Sequence, residues 1–302
     1  MSRVRIAVMA LVALTAVAGC KKADDKAADD PKPEASAAAE AETPTAQPEP
    51  EPEPEPASTV VGEEITYKAG DVELKGYLAY DKSKEGKRPG VLVVHEWWGH
   101  NEYTRKRAEM LAELGYTALA VDMYGDGKKA DHPDDAQKFM MEVMGNIDAG
   151  MKRFDAAREL LAAHETTNPE SLAAIGYCFG GAVVLHAART GAALDGVAAF
   201  HAGSLDAMAE GKKGEVVSQV LVAHGAADPF VKPESVVAFK KEMETLGVNL
   251  EWHEYEGAQH AFTNPGATEK GKKFDLPLAY DEQADKQSWD ELKDFLQTIF
   301  EA

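Results

Sequence analysis

Cysteine is scarce in this chain: the 302 residues hold two, Cys20 and Cys178, too few for a disulfide framework, and no CxxC or Cys/His cluster marks a structural zinc site. Basic charge is short as well. Lys and Arg number 32 against 52 Asp and Glu, a net charge of −20 with histidines neutral, and so acidic a chain argues against nucleic acid as a partner. No apolar run outside the N-terminus is long enough to cross a bilayer as a helix. What is plentiful is core material. Hydrophobic residues make up 44% and aromatics 8%, which excludes disorder of the whole chain and supplies one large domain or two small ones.

The N-terminal run has a recognisable order. Arg3 and Arg5 precede apolar residues 6–18, and the small residues Val17, Ala18 and Gly19 lead into Cys20. A basic, then apolar, then small-residue order is that of a secretory signal, and roughly 13 apolar residues are too few to span. Residues 17–20 resemble a bacterial lipobox. The resemblance implies a lipoprotein signal peptide over 1–19, lipidation of Cys20 and export to the cell envelope, with the protein held by its lipid on a periplasm-facing membrane. Lys21 after the cysteine favours the outer membrane of a host that has one. The other reading is an ordinary cleaved signal that ends in a cysteine by chance. Two or more acyl chains, at about 0.8 kcal/mol per buried CH₂, suffice for stable anchoring.

Residues 21–57 hold eight of the fifteen prolines, four basic and eleven acidic side chains. They cannot bury a core. Such composition favours extended, self-repelling chain, at most on the order of 115 Å long at ~3.1 Å per residue. With Cys20, the segment 20–57 reads as a disordered Pro/Glu-rich linker, or else as an interaction tail. The signal carries +2 and the linker −7, which leaves −15 on the body, residues 58–302.

The body alternates strand and helix patterns. Apolar-rich runs at 65–68 and 72–80 flank Ala69, Gly70 and Asp71, which predicts a hairpin. Strands are expected at 91–94, 117–121, 172–175, 197–200, 219–223 and 250–255. Helices are expected at 102–114, 134–163 with a break near Gly145 or Gly150, 181–189, 233–246 and 279–300. This alternation predicts one α/β domain: a mostly parallel central sheet with helices on both faces.

Three segments carry chemistry. Gly176, Cys178, Gly180 and Gly181 form GxCxGG between a strand and a helix, the cysteine form of a nucleophile elbow. The turn is sharp, the flanking glycines avoid crowding, and the unsatisfied N–H groups of the helix start favour a thiolate. Alone, the motif also fits a glycine turn with a buried core cysteine. Downstream, Asp228 follows a strand, and His260 lies in the loop after another. Nucleophile, acid, histidine is the order of the α/β hydrolases. Taken singly, Asp228 before Pro229 fits a turn residue and His260 a surface loop.

With these motifs in order, residues 64–300 resemble the dienelactone hydrolase family of the α/β-hydrolase superfamily. The segment His95, Glu96, Trp97, Trp98 and Gly99 is similar to the family's loop after an early strand. The resemblance implies catalysis by Cys178, Asp228 and His260, with Glu96 helping to generate the thiolate when substrate binds. It places the oxyanion hole at the backbone N–H groups of Trp97 and Phe179. It implies a small ester or lactone substrate split through a thioester, with no cofactor and no metal.

Some details depart from that pattern or leave choices. The family's arginines for a substrate carboxylate have no counterpart in 261–265 or 133–150, so an uncharged or weakly polar ester or lactone is expected. His95, Glu96 and His100 suggest a metal, but the two histidines are spaced i, i+5 across Gly99, not the helical i, i+4. Trp97 and Trp98 fit either core or cleft rim. His201 and His224 follow strands and either shape the cleft or satisfy turns; His132, His164, His186 and His253 read as surface or packing residues. If Cys20 is lipidated, Cys178 is the one free thiol, and a monomer is expected. The rival readings are a catalytically idle lipoprotein that binds a ligand or partner in the hydrolase cleft, and a thiol redox protein lacking a resolving cysteine.

Overall fold

The computed structural model describes residues 58–301 apart from 207 and 218. The expected signal peptide, Cys20 and the linker lie outside the described residues. Eight strands form one sheet: β1 (Val60–Ala69), β2 (Val72–Asp81), β3 (Arg88–Val94), β4 (Thr117–Val121), β5 (Thr167–Tyr177), β6 (Gly196–Phe200), β7 (Gln219–Gly225) and β8 (Asn249–Tyr255). Their spatial order is β1-β2-β4-β3-β5-β6-β7-β8. The β1–β2 hairpin and the β2–β4 pair are antiparallel, and every pair from β4 through β3 to β8 is parallel.

Among the described residues seven helices accompany them: α1 (Glu102–Leu114), α2 (Pro133–Met144), α3 (Ile147–Ala163), α4 (Phe179–Arg189), α5 (Pro233–Leu246), α6 (Ala267–Phe274) and α7 (Glu282–Glu301). The continuous apolar runs of the inner strands are explained by burial on both faces. In β3, Leu92 and Val94 face one layer, with Phe154 and Leu161 of α3, Val183 and Val184 of α4 and Phe239 of α5. Val91 and Val93 face the other, with Leu111 of α1 and Leu292, Phe295 and Ile299 of α7. Strand periodicity thus divides one sequence run between two cores.

The break expected near Gly145 or Gly150 is found at Gly145, while other element bounds depart from expectation, β1 and β5 being longer than their apolar runs. The 134–163 helix is broken at Gly145 and Asn146, where Asn146 Oδ1 caps α3 by accepting the Ala149 N–H; Gly150 is inside α3, its bare Cα facing Val143. The C-terminal helix begins at Glu282 rather than 279, with Asp281 Oδ1 accepting the Ala284 N–H. Helix α6 was not foreseen. Its eight residues include Gly271, where a Cβ would come within 2.5 Å of the Leu278 carbonyl, so tertiary packing sets it.

Among the described residues no helix is long and apolar enough to cross a membrane.

Candidate active site

The parallel strands deliver four side chains to one edge of the sheet. Glu96 follows β3, Cys178 follows β5, Asp228 follows β7 and His260 follows β8, all beyond carboxyl ends, where open α/β sheets form their binding crevice.

Cys178 sits between β5 and α4 with φ 53° and ψ −113°, a strained conformation for a residue with a Cβ. The turn is held from three sides. The Cys178 N–H donates to Phe200 O at 3.0 Å, and its carbonyl accepts from Gly203 and Ala182 N–H at 3.0 and 3.3 Å. Both flanking glycines are sterically required: a Cβ at Gly176 would lie 2.1 Å from Gly180 O, and one at Gly180 would lie 2.3 Å from Val94 O. Two further residues beside the site have positive φ, His201 at 36° and Ala261 at 61°.

Asp228 and His260 meet. Asp228 Oδ2 is 2.8 Å from His260 Nδ1, and its Oδ1 accepts the Phe230 N–H at 2.9 Å. The aspartate is therefore both a turn residue and the partner of the histidine, so the two readings of its sequence position describe one geometry. Burial pulls the imidazole pKa down. The nearby Cys178 and the hydrogen bond to Asp228 together more than offset this and push it up to about 10. Such a shift favours the charged form of the ring.

Glu96 is buried, and its Oε2 accepts from Asn264 Nδ2 at 2.6 Å. Burial raises its carboxyl pKa; the Asn264 bond and the charges of Lys270, His260 and Arg107 oppose that rise. The N–H groups of Trp97 and Phe179 have no acceptor among the described residues, and that of Phe179 opens α4. Trp98 is buried while Trp97 is half-buried, with ring centroids 5.0 Å apart; the pair spans core and rim.

The remaining histidines divide. His201 is fully buried, packs against His260 at 5.3 Å and shares a hydrogen bond with Thr263 Oγ1 at 2.7 Å. Burial, then the charge of His260, holds its pKa well below the ordinary value. His224 packs on Trp252 instead. His186 is buried, and His132 caps α2. His95 uses one ring nitrogen on Glu96 O and the other on the Met123 N–H. No group of three His, Cys, Asp or Glu among the described residues is arranged to hold a metal.

Four site neighbours escaped the sequence reading. Asn264 carries Glu96; Arg107, from α1, bonds the Thr263 carbonyl at 2.6 Å and pairs with Asp285; Phe230 stacks edge-on with His260 at 4.9 Å; and Lys270 of α6 lies 4.3 Å over the Trp98 ring. The Ala261–Pro265 stretch has no arginine, and its asparagine is the residue that reaches Glu96. A surface groove of about 830 Å³ touches Asn264 but is otherwise lined by residues such as Tyr103, Arg105 and Lys129, not by Cys178 or His260.

The sequence profile of the Dienelactone hydrolase family matches residues 74–300. A carboxymethylenebutenolidase of Pseudomonas putida is 27% identical over 188 residues, 60% of this chain and 77% of that protein. Protein usf of Aquifex pyrophilus is 29% identical over 209 residues, 68% of this chain and 88% of that protein. The crystal structure of a dienelactone hydrolase-like promiscuous phosphotriesterase from metagenomic libraries superposes with a TM-score of 0.75 at 36% identity, over 80% of this chain and all of that one. With an α/β-hydrolase sheet and a family profile over residues 74–300, this chain belongs to the dienelactone hydrolase family.

Proposed function

We propose that the protein is a cysteine-dependent hydrolase of small esters or lactones that works through a thioester. The observation that carries this reading is the Asp228–His260 hydrogen bond of 2.8 Å beside a strained cysteine elbow. The Cys178 thiolate attacks the carbonyl carbon, and the oxyanion is met by the N–H groups of Trp97 and Phe179, each supplying about 3 kcal/mol in the transition state. Collapse expels the alkoxide or enolate, which takes the proton of the His260 imidazolium. The ring, now neutral and oriented by Asp228, removes a proton from water as it attacks the thioester. Departure of the thiolate restores the ion pair, with the acid as product. Glu96 assists thiolate formation from its buried position.

A thiolate is a good leaving group, so the tetrahedral intermediate goes forward only if the substrate leaves at least as well. Enol lactones and activated esters satisfy this; amides do not. Lys270 brings a positive charge near Glu96, but 261–265 has no arginine, so the reading remains a substrate of low charge. The names of the relatives add support for carboxylic ester and lactone chemistry. We further propose that the protein is exported and tethered to the envelope through Cys20, on the strength of the order Arg3, Arg5, apolar residues 6–18 and Cys20.

The test is the initial rate of the full chain and of Cys178→Ala on an aryl ester, a panel of lactones and an aryl phosphotriester. Turnover lost in the variant supports the reading. Two folded and equally inert proteins would reject it in favour of a binding lipoprotein.

A further inference from the structure

We infer that His95 is a positioning residue that sets which way the Glu96–Trp97 peptide faces, and thereby aims the Trp97 N–H at the substrate oxygen; the inference rests on the proposed acyl-transfer site.

The argument begins with planarity. In a trans peptide the C=O and N–H point in opposite directions, so a restraint on the Glu96 carbonyl is a restraint on the Trp97 N–H. That carbonyl is held twice. His95 Nδ1 lies 2.6 Å from it, and the Gly99 N–H donates to it at 3.1 Å. Rotating the peptide by half a turn would break both bonds and point a carbonyl where the donor is needed.

The imidazole is itself fixed. Its Nε2 accepts the Met123 N–H at 3.3 Å, so that nitrogen carries no proton and the neutral ring has its proton on Nδ1, as donation to a carbonyl requires. Full burial favours this uncharged form. The ring is gripped by Tyr124 at 4.6 Å and Phe179 at 5.8 Å. The next peptide is held as well, with the Tyr124 hydroxyl donating to Trp97 O at 2.9 Å. Finally the His95 carbonyl accepts the Gly180 N–H at 3.1 Å. The strand end that carries Trp97 is thus tied to the elbow that carries Phe179, and the two N–H groups keep a constant relation.

Two substitutions of nearly equal size separate this role from packing. In His95→Asn the side-chain amide nitrogen occupies the place of Nδ1 and still donates to the Glu96 carbonyl; His95→Leu has the same shape and no donor. Both leave the same void. Full chains would be compared by kcat and KM on the best aryl ester, with thermal unfolding as a check on folding. The expected result is a kcat for His95→Leu reduced roughly 100-fold with KM little changed, as for a lost oxyanion donor. His95→Asn should stay within about tenfold of the parent. Equal losses in the two variants would overturn the inference while leaving the hydrolase reading intact. A ¹⁵N spectrum of the parent near neutral pH showing a charged ring, or a proton on Nε2 of His95, would overturn it without reference to turnover. A parent inert on every substrate would instead remove the acyl-transfer reading, and this inference with it.

Discussion

Asn264 donates to Glu96 at 2.6 Å while its own Oδ1 accepts the Gly266 N–H at 2.9 Å. The second bond fixes the orientation of the amide, so the NH₂ must face the carboxylate. A buried glutamate is thereby given one charge-assisted donor, which favours its ionised form against a burial that disfavours it.

Removing that donor should move the titration of Glu96 further upward. In Asn264→Leu the acid limb of the pH profile of kcat/KM is expected to shift to higher pH. The profile of parent and variant on one aryl ester checks this. An unmoved limb would separate Glu96 from the rate.

His260 is expected to remain protonated through the neutral range and to titrate near pH 10, because Cys178 and Asp228 together outweigh burial. In Cys178→Ala the contribution of the thiol is gone while burial stays, so the ring pKa should fall. Imidazole NMR signals followed from pH 5 to 11 in both proteins provide the measurement.

Two glycines near the thiol should behave oppositely. A Cβ at Gly176 meets backbone at 2.1 Å, whereas one at Gly203 stands 3.8 Å from Cys178 Sγ. Gly176→Ala should lower stability by about 3 kcal/mol or prevent folding. Gly203→Ala should fold normally and raise KM for the bulkier acyl groups. Urea unfolding and a series of acyl chain lengths would show the contrast.

Arg107 and Asp285 form a buried pair that also holds the Thr263 carbonyl. Arg107→Met would leave Asp285 without its main partner, and about 3–5 kcal/mol of stability should be lost. The loop carrying His260 and Asn264 would loosen with it, so kcat should fall in the fraction that stays folded. Unfolding curves and active-site titration of that fraction distinguish the two losses.

For the N-terminal segment, replacement of Cys20 by Ser should release the protein from the membrane fraction and abolish incorporation of labelled palmitate. Retention of both would reject the tether.

Much of this molecule was legible in one dimension. The hairpin turn at Gly70, the strand at Thr117–Val121 and the helix at Pro233–Leu246 were readable because period and punctuation are local. The candidate triad was readable for a related reason. A nucleophile elbow writes its steric needs into adjacent residues, and parallel strands bring the next two loops to the same edge, so chain order alone foretold that Asp228 would reach His260. What stayed hidden was whatever depends on contact between distant segments. Helix α6 depends on Gly271, whose bare Cα lets the Leu276 and Leu278 carbonyls lie against it. Asn264 and Glu96 are separated by 168 positions, and Arg107 and Asp285 by 178. The sequence by itself determined the class of fold and the identity of the candidate nucleophile, acid and base, because strands, turns and motif order follow short-range sterics. Only the tertiary structure decided which neutral ring fixes the Trp97 peptide and which amide holds Glu96. Such bonds require two groups within about 3 Å, and no spacing along the chain specifies that distance.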